Sequence, residues 1–92
     1  MVTQHIKIEG KVQGVFYRAT AKEKAVALGL KGWIRNTAEG AVEALVSGEE
    51  AVVQEFVEWS KKGPALAQVK QVIISVVEQE IFEGFEIRKN GY

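Results

Sequence analysis

The chain has 92 residues with 12 basic and 12 acidic side chains, so it carries no formal net charge; it can bury one small core and lacks the basic surplus with which nucleic-acid binders displace counterions. It contains no cysteine and no aspartate, and His5 is its single histidine. Disulfides, thiolate nucleophiles, zinc knuckles, aspartyl-phosphate chemistry, the usual magnesium carboxylates and a Ser-His-Asp triad are thereby excluded.

Read in chain order, His5 to Val12 alternates, with Ile6, Ile8 and Val12 on one face and His5, Lys7, Glu9 and Lys11 on the other. That period predicts a half-buried strand with His5 turned to solvent. After a bend at Gln13–Gly14, Tyr17, Ala21, Ala25 and Leu28 recur at helical spacing, and Gly29 supplies a left-handed stop. "KGWIRN" (Lys31–Asn36) and "AVEALVS" (Ala41–Ser47) read as two strands joined by a hairpin over Thr37–Gly40. A second helix follows, capped by Ser47 or Gly48, with Val52, Phe56 and Trp59 as its apolar stripe and Gly63–Pro64 as its end. Gln68–Val77 is rich in β-branched residues and predicts a long strand. Glu78–Gly84 is a polar connector, Phe85–Arg88 a short closing strand, and Lys89–Tyr92 a fraying tail.

The order β-α-β-β-α-β plus a short terminal strand is the ferredoxin-like split βαβ plan. The predicted class is therefore α+β, with two helices on one face of a mainly antiparallel sheet, in one domain over residues 1–92. No run of about eighteen apolar residues occurs, nor a basic-then-apolar leader, so the expectation is a soluble cytoplasmic protein with no membrane partner.

The bend "GKVQGVFYRAT" (Gly10–Thr20) is the first candidate site. Gly14 lets backbone approach a ligand, the start of a helix offers free N–H groups, and the planar fork of Arg18 can take two phosphate oxygens. A glycine bend and a solvated first-turn arginine are also ordinary features of a strand-to-helix turn. The segment is not a Walker loop, because no Gly-Lys-Ser/Thr follows, and it lacks the thiolate of an arginine-ended phosphatase loop. The second candidate is Asn36, at the end of a strand entering a hairpin. It either shapes the turn or brings a carboxamide near the loop, where it can orient a water.

"GKVQGVFYR" followed by "GWIRNT" (Gly32–Thr37) resembles the acylphosphatase family. The likeness extends to "EGAVEALVSG", "KKGPALAQV" and "GFEIR", and so covers nearly the whole chain. The resemblance implies metal-independent hydrolysis of a small-molecule acyl phosphate to a carboxylate and inorganic phosphate, without a cofactor. It further implies that Arg18 binds the phosphoryl group together with backbone N–H groups of Gln13, Gly14, Val15, Phe16 and Tyr17, that Asn36 positions the attacking water, and that Thr37 supports Asn36. Tyr17 stands where the family often has phenylalanine; its ring is expected in the core, with the hydroxyl seeking a partner.

That chemistry suits the composition. An acyl phosphate has a good leaving group and needs positioning and charge stabilisation more than a strong nucleophile. The rival is a non-catalytic module of the same fold that binds acyl or carbamoyl phosphate or RNA, although "KGWIRN" does not match the paired aromatics of RNA-binding sheets. Trp33 is expected to pack against or rim the sheet, Trp59 to sit in the core, and Arg35 and Arg88 to be surface charges. A monomer without a nucleic-acid partner is the expected state.

Overall fold

The computed structural model describes residues 1–89; of the Lys89–Tyr92 tail, residues 90–92 lie outside the described residues. Strand β1 (Val2–Lys11) leads into helix α1 (Tyr17–Ala27), then β2 (Lys31–Asn36), β3 (Val42–Gly48), helix α2 (Glu50–Ser60), β4 (Gln68–Val77) and β5 (Phe85–Ile87). The strands form one five-stranded sheet in the order β4-β1-β3-β2-β5. Every neighbouring pair is antiparallel except β2 and β5, which run parallel. This is the ferredoxin-like α+β fold, with both helices on one face.

Alternation decides what each face of the sheet does. Ile6, Ile8, Ile34, Val42, Ala44 and Val46 point to the helices and are fully buried. Tyr17, Ala21 and Ala25 of α1 and Val53, Phe56 and Val57 of α2 close over them. The left-handed Gly29 ends the first helix and the left-handed Gly40 turns the hairpin, as the spacing predicts.

Three expectations about the second helix and its neighbourhood are corrected. Its buried stripe is Val53, Phe56, Val57 and Ser60, rotated from the expected Val52, Phe56 and Trp59; Val52 and Trp59 are half-buried at the core's margin. Ser47 and Gly48 do not cap it, because both remain in β3 and the helix is entered at Glu49. The Ser47 hydroxyl has other partners: it accepts from Thr3 Oγ1 at 3.1 Å and donates to the Glu80 carbonyl at 3.4 Å. The strand boundaries also shift slightly, with β3 starting at Val42 and β5 ending at Ile87.

The sheet's outer face is corrected too. His5 is not simply solvated: its Nε2 lies 3.0 Å from Glu43 Oε2, while Arg35 Nε donates to Glu43 Oε1 at 2.5 Å. Beside this group the Trp33 ring is buried, with the guanidinium carbons of Arg35 and Arg88 lying 4.7 and 5.0 Å from its centroid. The outer face is thus covered at Trp33 by charged side chains, whose stems and planes lie against the indole.

Partial burial works against the Glu43 charge, yet the hydrogen bonds and charges of Arg35 and His5 outweigh it and hold the carboxyl below its ordinary value. The folded state therefore gains from ionised Glu43 at every pH above the unfolded value, and loses that gain as pH falls through the lower folded value. Glu43→Gln is expected to lower the melting temperature at pH 7 and to flatten the fall in stability on acidification. Thermal unfolding across pH 2 to 7 checks this, and an acid limb as steep as that of the unaltered protein would refute it.

Candidate active site

The segment between β1 and α1 is pinned by the side chains it turns inward. Val12, Val15 and Tyr17 are buried, while Gly14 and Phe16 are exposed. Tyr17 is the firmest anchor. Its hydroxyl donates to the Ser60 carbonyl at 2.6 Å, and its ring centroid lies 5.5 Å from that of Trp59. Burial pushes the Tyr17 hydroxyl far above its ordinary value, against the opposing effect of the Ser60 bond, so it stays a neutral donor. Gly63 makes room for this ring: a Cβ there would stand 2.6 Å from Tyr17 Cε2, and its φ of 69° favours glycine. The first residue of one helix is thereby fastened to the end of the other.

With the side chains pulled inward, the backbone faces out. Gly14 has φ 75°, which a side chain would strain. Phe16, the residue before the helix, has φ 64° and ψ 23° and forms no side-chain cap. A bulky residue in this region costs on the order of 1–3 kcal/mol. Thr20 holds it there, because the Phe16 carbonyl accepts both the Thr20 N–H at 3.1 Å and the Thr20 hydroxyl at 2.8 Å. The first turn of α1 carries no acidic residue, whereas α2 has Glu50 in its own. The positive end of α1 therefore meets no carboxylate from its own first turn, and its leading N–H groups have no intrahelical acceptor.

The second element arrives from the hairpin. Asn36 ends β2 on the helix-facing side, in phase with Ile34, and is only 7% exposed. Its Oδ1 is buried with no hydrogen-bond partner among the described residues. An unmatched buried carbonyl costs about 1–3 kcal/mol. Gly14, Phe16, Arg18, Asn36 and Ile87 are among the residues lining one open cleft of about 320 Å³. Arg18 is half-buried and is the one charged residue of that lining among the described residues. Among the described residues no group of three or more histidine, aspartate or glutamate side chains could hold a metal ion.

Sequence reasoning missed what joins the two blocks. The Gln13 carboxamide donates to the Thr37 carbonyl at 3.0 Å and to the Ala41 carbonyl at 2.8 Å. Both of its N–H bonds thus tie the loop to the hairpin that carries Asn36. Thr37 braces the same hairpin, since its hydroxyl accepts from the Ala41 N–H at 3.1 Å. Ile87 was also missed. The parallel pairing of β5 with β2 brings it to the cleft, and no local pattern announces that pairing.

Comparison with known proteins agrees with the geometry. The acylphosphatase family model matches residues 4–87. The chain belongs to the acylphosphatase family. It is 46% identical to an acylphosphatase of Thiobacillus denitrificans over 98% of this chain and all of that one. Among solved structures it is similar to the acylphosphatase of Bacillus subtilis, at 32% identity and a TM-score of 0.92, covering 96% of this chain and 99% of that chain. It is also similar to an acylphosphatase of Coxiella burnetii, at 36% identity and a TM-score of 0.91, covering 95% and 92%.

Gln13→Ala removes two hydrogen bonds, leaving the Thr37 carbonyl with the Gly40 N–H alone and the Ala41 carbonyl with the Thr37 N–H alone. A loss of about 1–3 kcal/mol in unfolding free energy is expected, read from the urea midpoint, and an unchanged midpoint would show that the tie contributes nothing.

Proposed function

We propose that this member of the acylphosphatase family hydrolyses acyl phosphates to a carboxylate and inorganic phosphate at the cleft between the Gly14 bend and Asn36. The observation that carries this reading is the buried, unpartnered Oδ1 of Asn36 lining the same cleft as Arg18. One group suits a water proton and the other suits phosphoryl oxygens.

The Arg18 fork takes two oxygens of the phosphoryl group. The N–H groups of Gln13, Gly14, Val15, Phe16 and Tyr17 meet the remaining negative charge, helped by the positive end of α1, whose first turn carries no acid. Asn36 Oδ1 accepts one proton of a water and aims the oxygen lone pair at phosphorus, opposite the acyl oxygen. The new bond joins water oxygen to phosphorus. The bond between phosphorus and the bridging oxygen breaks, and its electron pair leaves with the carboxylate. One water proton passes to a phosphoryl oxygen, so no separate general base is required. A carboxylate leaves readily because its conjugate acid has a pKa of about 4, and a loose transition state asks for charge stabilisation more than for a nucleophile. Thr37 acts in this scheme by stiffening the hairpin behind Asn36.

The RNA-binding alternative loses its main support in Trp33, whose ring is buried beside two arginines and offers no face for a base to stack on.

Benzoyl phosphate hydrolysis should proceed undiminished in excess EDTA. Arg18→Lys should lower kcat/KM by about a hundredfold or more, because a point charge lacks the fork. Asn36→Ala should lower kcat by about a hundredfold with little change in KM, as expected for a group that positions the water. Full kcat in Asn36→Ala would refute the water-positioning role, and a rate no faster than buffer in the unaltered protein would refute the catalytic reading.

A further inference from the structure

The lining of the cleft divides by chemistry. Gly14, Arg18 and Asn36 supply its polar part, and Phe16 and Ile87 bring apolar surface to it. Phe16 is 74% exposed and Ile87 is 41% exposed. Neither belongs to the core cluster, so packing explains neither side chain. Ile87 follows the buried Phe85 on the helix-facing side of β5, and extends that apolar row out to the cleft.

Phe16 is the more informative of the two. It is the one non-glycine residue with positive φ among the described residues. A bulky side chain in that conformation is an outlier, and glycine would relieve the strain at once. An aromatic ring therefore stands in water, on a backbone that disfavours it, beside the cleft. Folding gains little from that arrangement. A ligand with apolar surface would gain from it directly.

We infer that Phe16 and Ile87 form a subsite for the acyl group, selecting substrates whose acyl part is flat and apolar, such as an aroyl group, over short aliphatic ones. The inference rests on the phosphoryl-binding role proposed for Arg18. With phosphorus held there, the acyl group extends beyond the bridging oxygen and has the rest of the lining to meet, Phe16 and Ile87 included. An aryl substituent conjugated to the carbonyl is long and planar enough to meet the Phe16 ring, whereas a methyl group is not.

The test is the ratio of kcat/KM for benzoyl phosphate to kcat/KM for acetyl phosphate, compared between variants and the unaltered protein. Both substrates share the phosphoryl cradle, so damage to the loop cancels in the ratio, as does the difference in their intrinsic reactivity. Phe16→Ala should lower the ratio by about three- to tenfold, the scale of one aromatic contact, through a higher KM for benzoyl phosphate. Phe16→Tyr, which keeps the ring, should retain it. Ile87→Ser probes the far side of the cleft by the same ratio and should also lower it, whether or not Phe16→Ala folds. A ratio within about twofold of the starting value in Phe16→Ala and Ile87→Ser would overturn the subsite. That result would leave the hydrolase reading intact, whereas failure of the unaltered protein to turn over either substrate would sink both.

Discussion

The whole site depends on a constraint on one short segment: its side chains must go inward for its backbone to face out. Val12, Val15 and Tyr17 are drawn into the core, and Tyr17 is held by the Ser60 carbonyl at 2.6 Å. The intervening residues then have no freedom to fold their N–H groups back on the protein. The open cleft beside Gly14 arises as the by-product of burying three apolar side chains. The hydrophobic effect, which has no direction of its own, is converted into directed donors because the chain between the anchors is short. Gly14 and the left-handed Phe16 are the two places where the backbone yields to that demand.

The two faces of the sheet divide the remaining work. On the helix side apolar side chains interdigitate, and the cleft opens at the end of β2 beside the start of α1. On the outer side Glu43 gathers His5 and Arg35, and two guanidinium groups lie against Trp33. A chain of balanced charge can roof one side of a sheet in this way without a third layer. Among the described residues Arg18 is the one cationic side chain in the cleft lining.

Much of this architecture was legible in the residues. Alternation located β1, the β-branched run located β4, and Gly29 and Gly40 punctuated the chain where left-handed turns occur. The phase of α2 was not legible, because Ala51, Val52, Val53, Phe56, Val57 and Trp59 offer apolar residues on too many sides to choose one stripe. The deciding partner was Ser60, a polar residue buried because its hydroxyl donates to the Val57 carbonyl at 2.7 Å while its own carbonyl receives Tyr17. His5 was misread because an outward-facing position was equated with a wet one. The pair Arg18 and Asn36 stood out by type and position. The Gln13 tie to Thr37 and Ala41 did not, since nothing in a glutamine beside a glycine announces contacts 24 and 28 residues away. Phe16 was equally opaque: a positive φ at an aromatic residue runs against every local preference and appears only once tertiary anchors impose it.

The contact between Tyr17 and Trp59 has an optical consequence. The two indoles of this chain occupy different electrostatic settings, Trp33 beneath guanidinium groups on the outer face and Trp59 against the phenol that begins α1. Ultraviolet light absorbed by Tyr17 can pass to Trp59 across 5.5 Å, so the tyrosine-sensitised emission of Trp59 registers whether the bend is docked. Emission from Trp33 registers the state of the charged roof instead. The molecule thus carries two built-in chromophores, each attached to one face of its sheet, and loosening of the loop can be distinguished by colour and intensity from loosening of the face behind it.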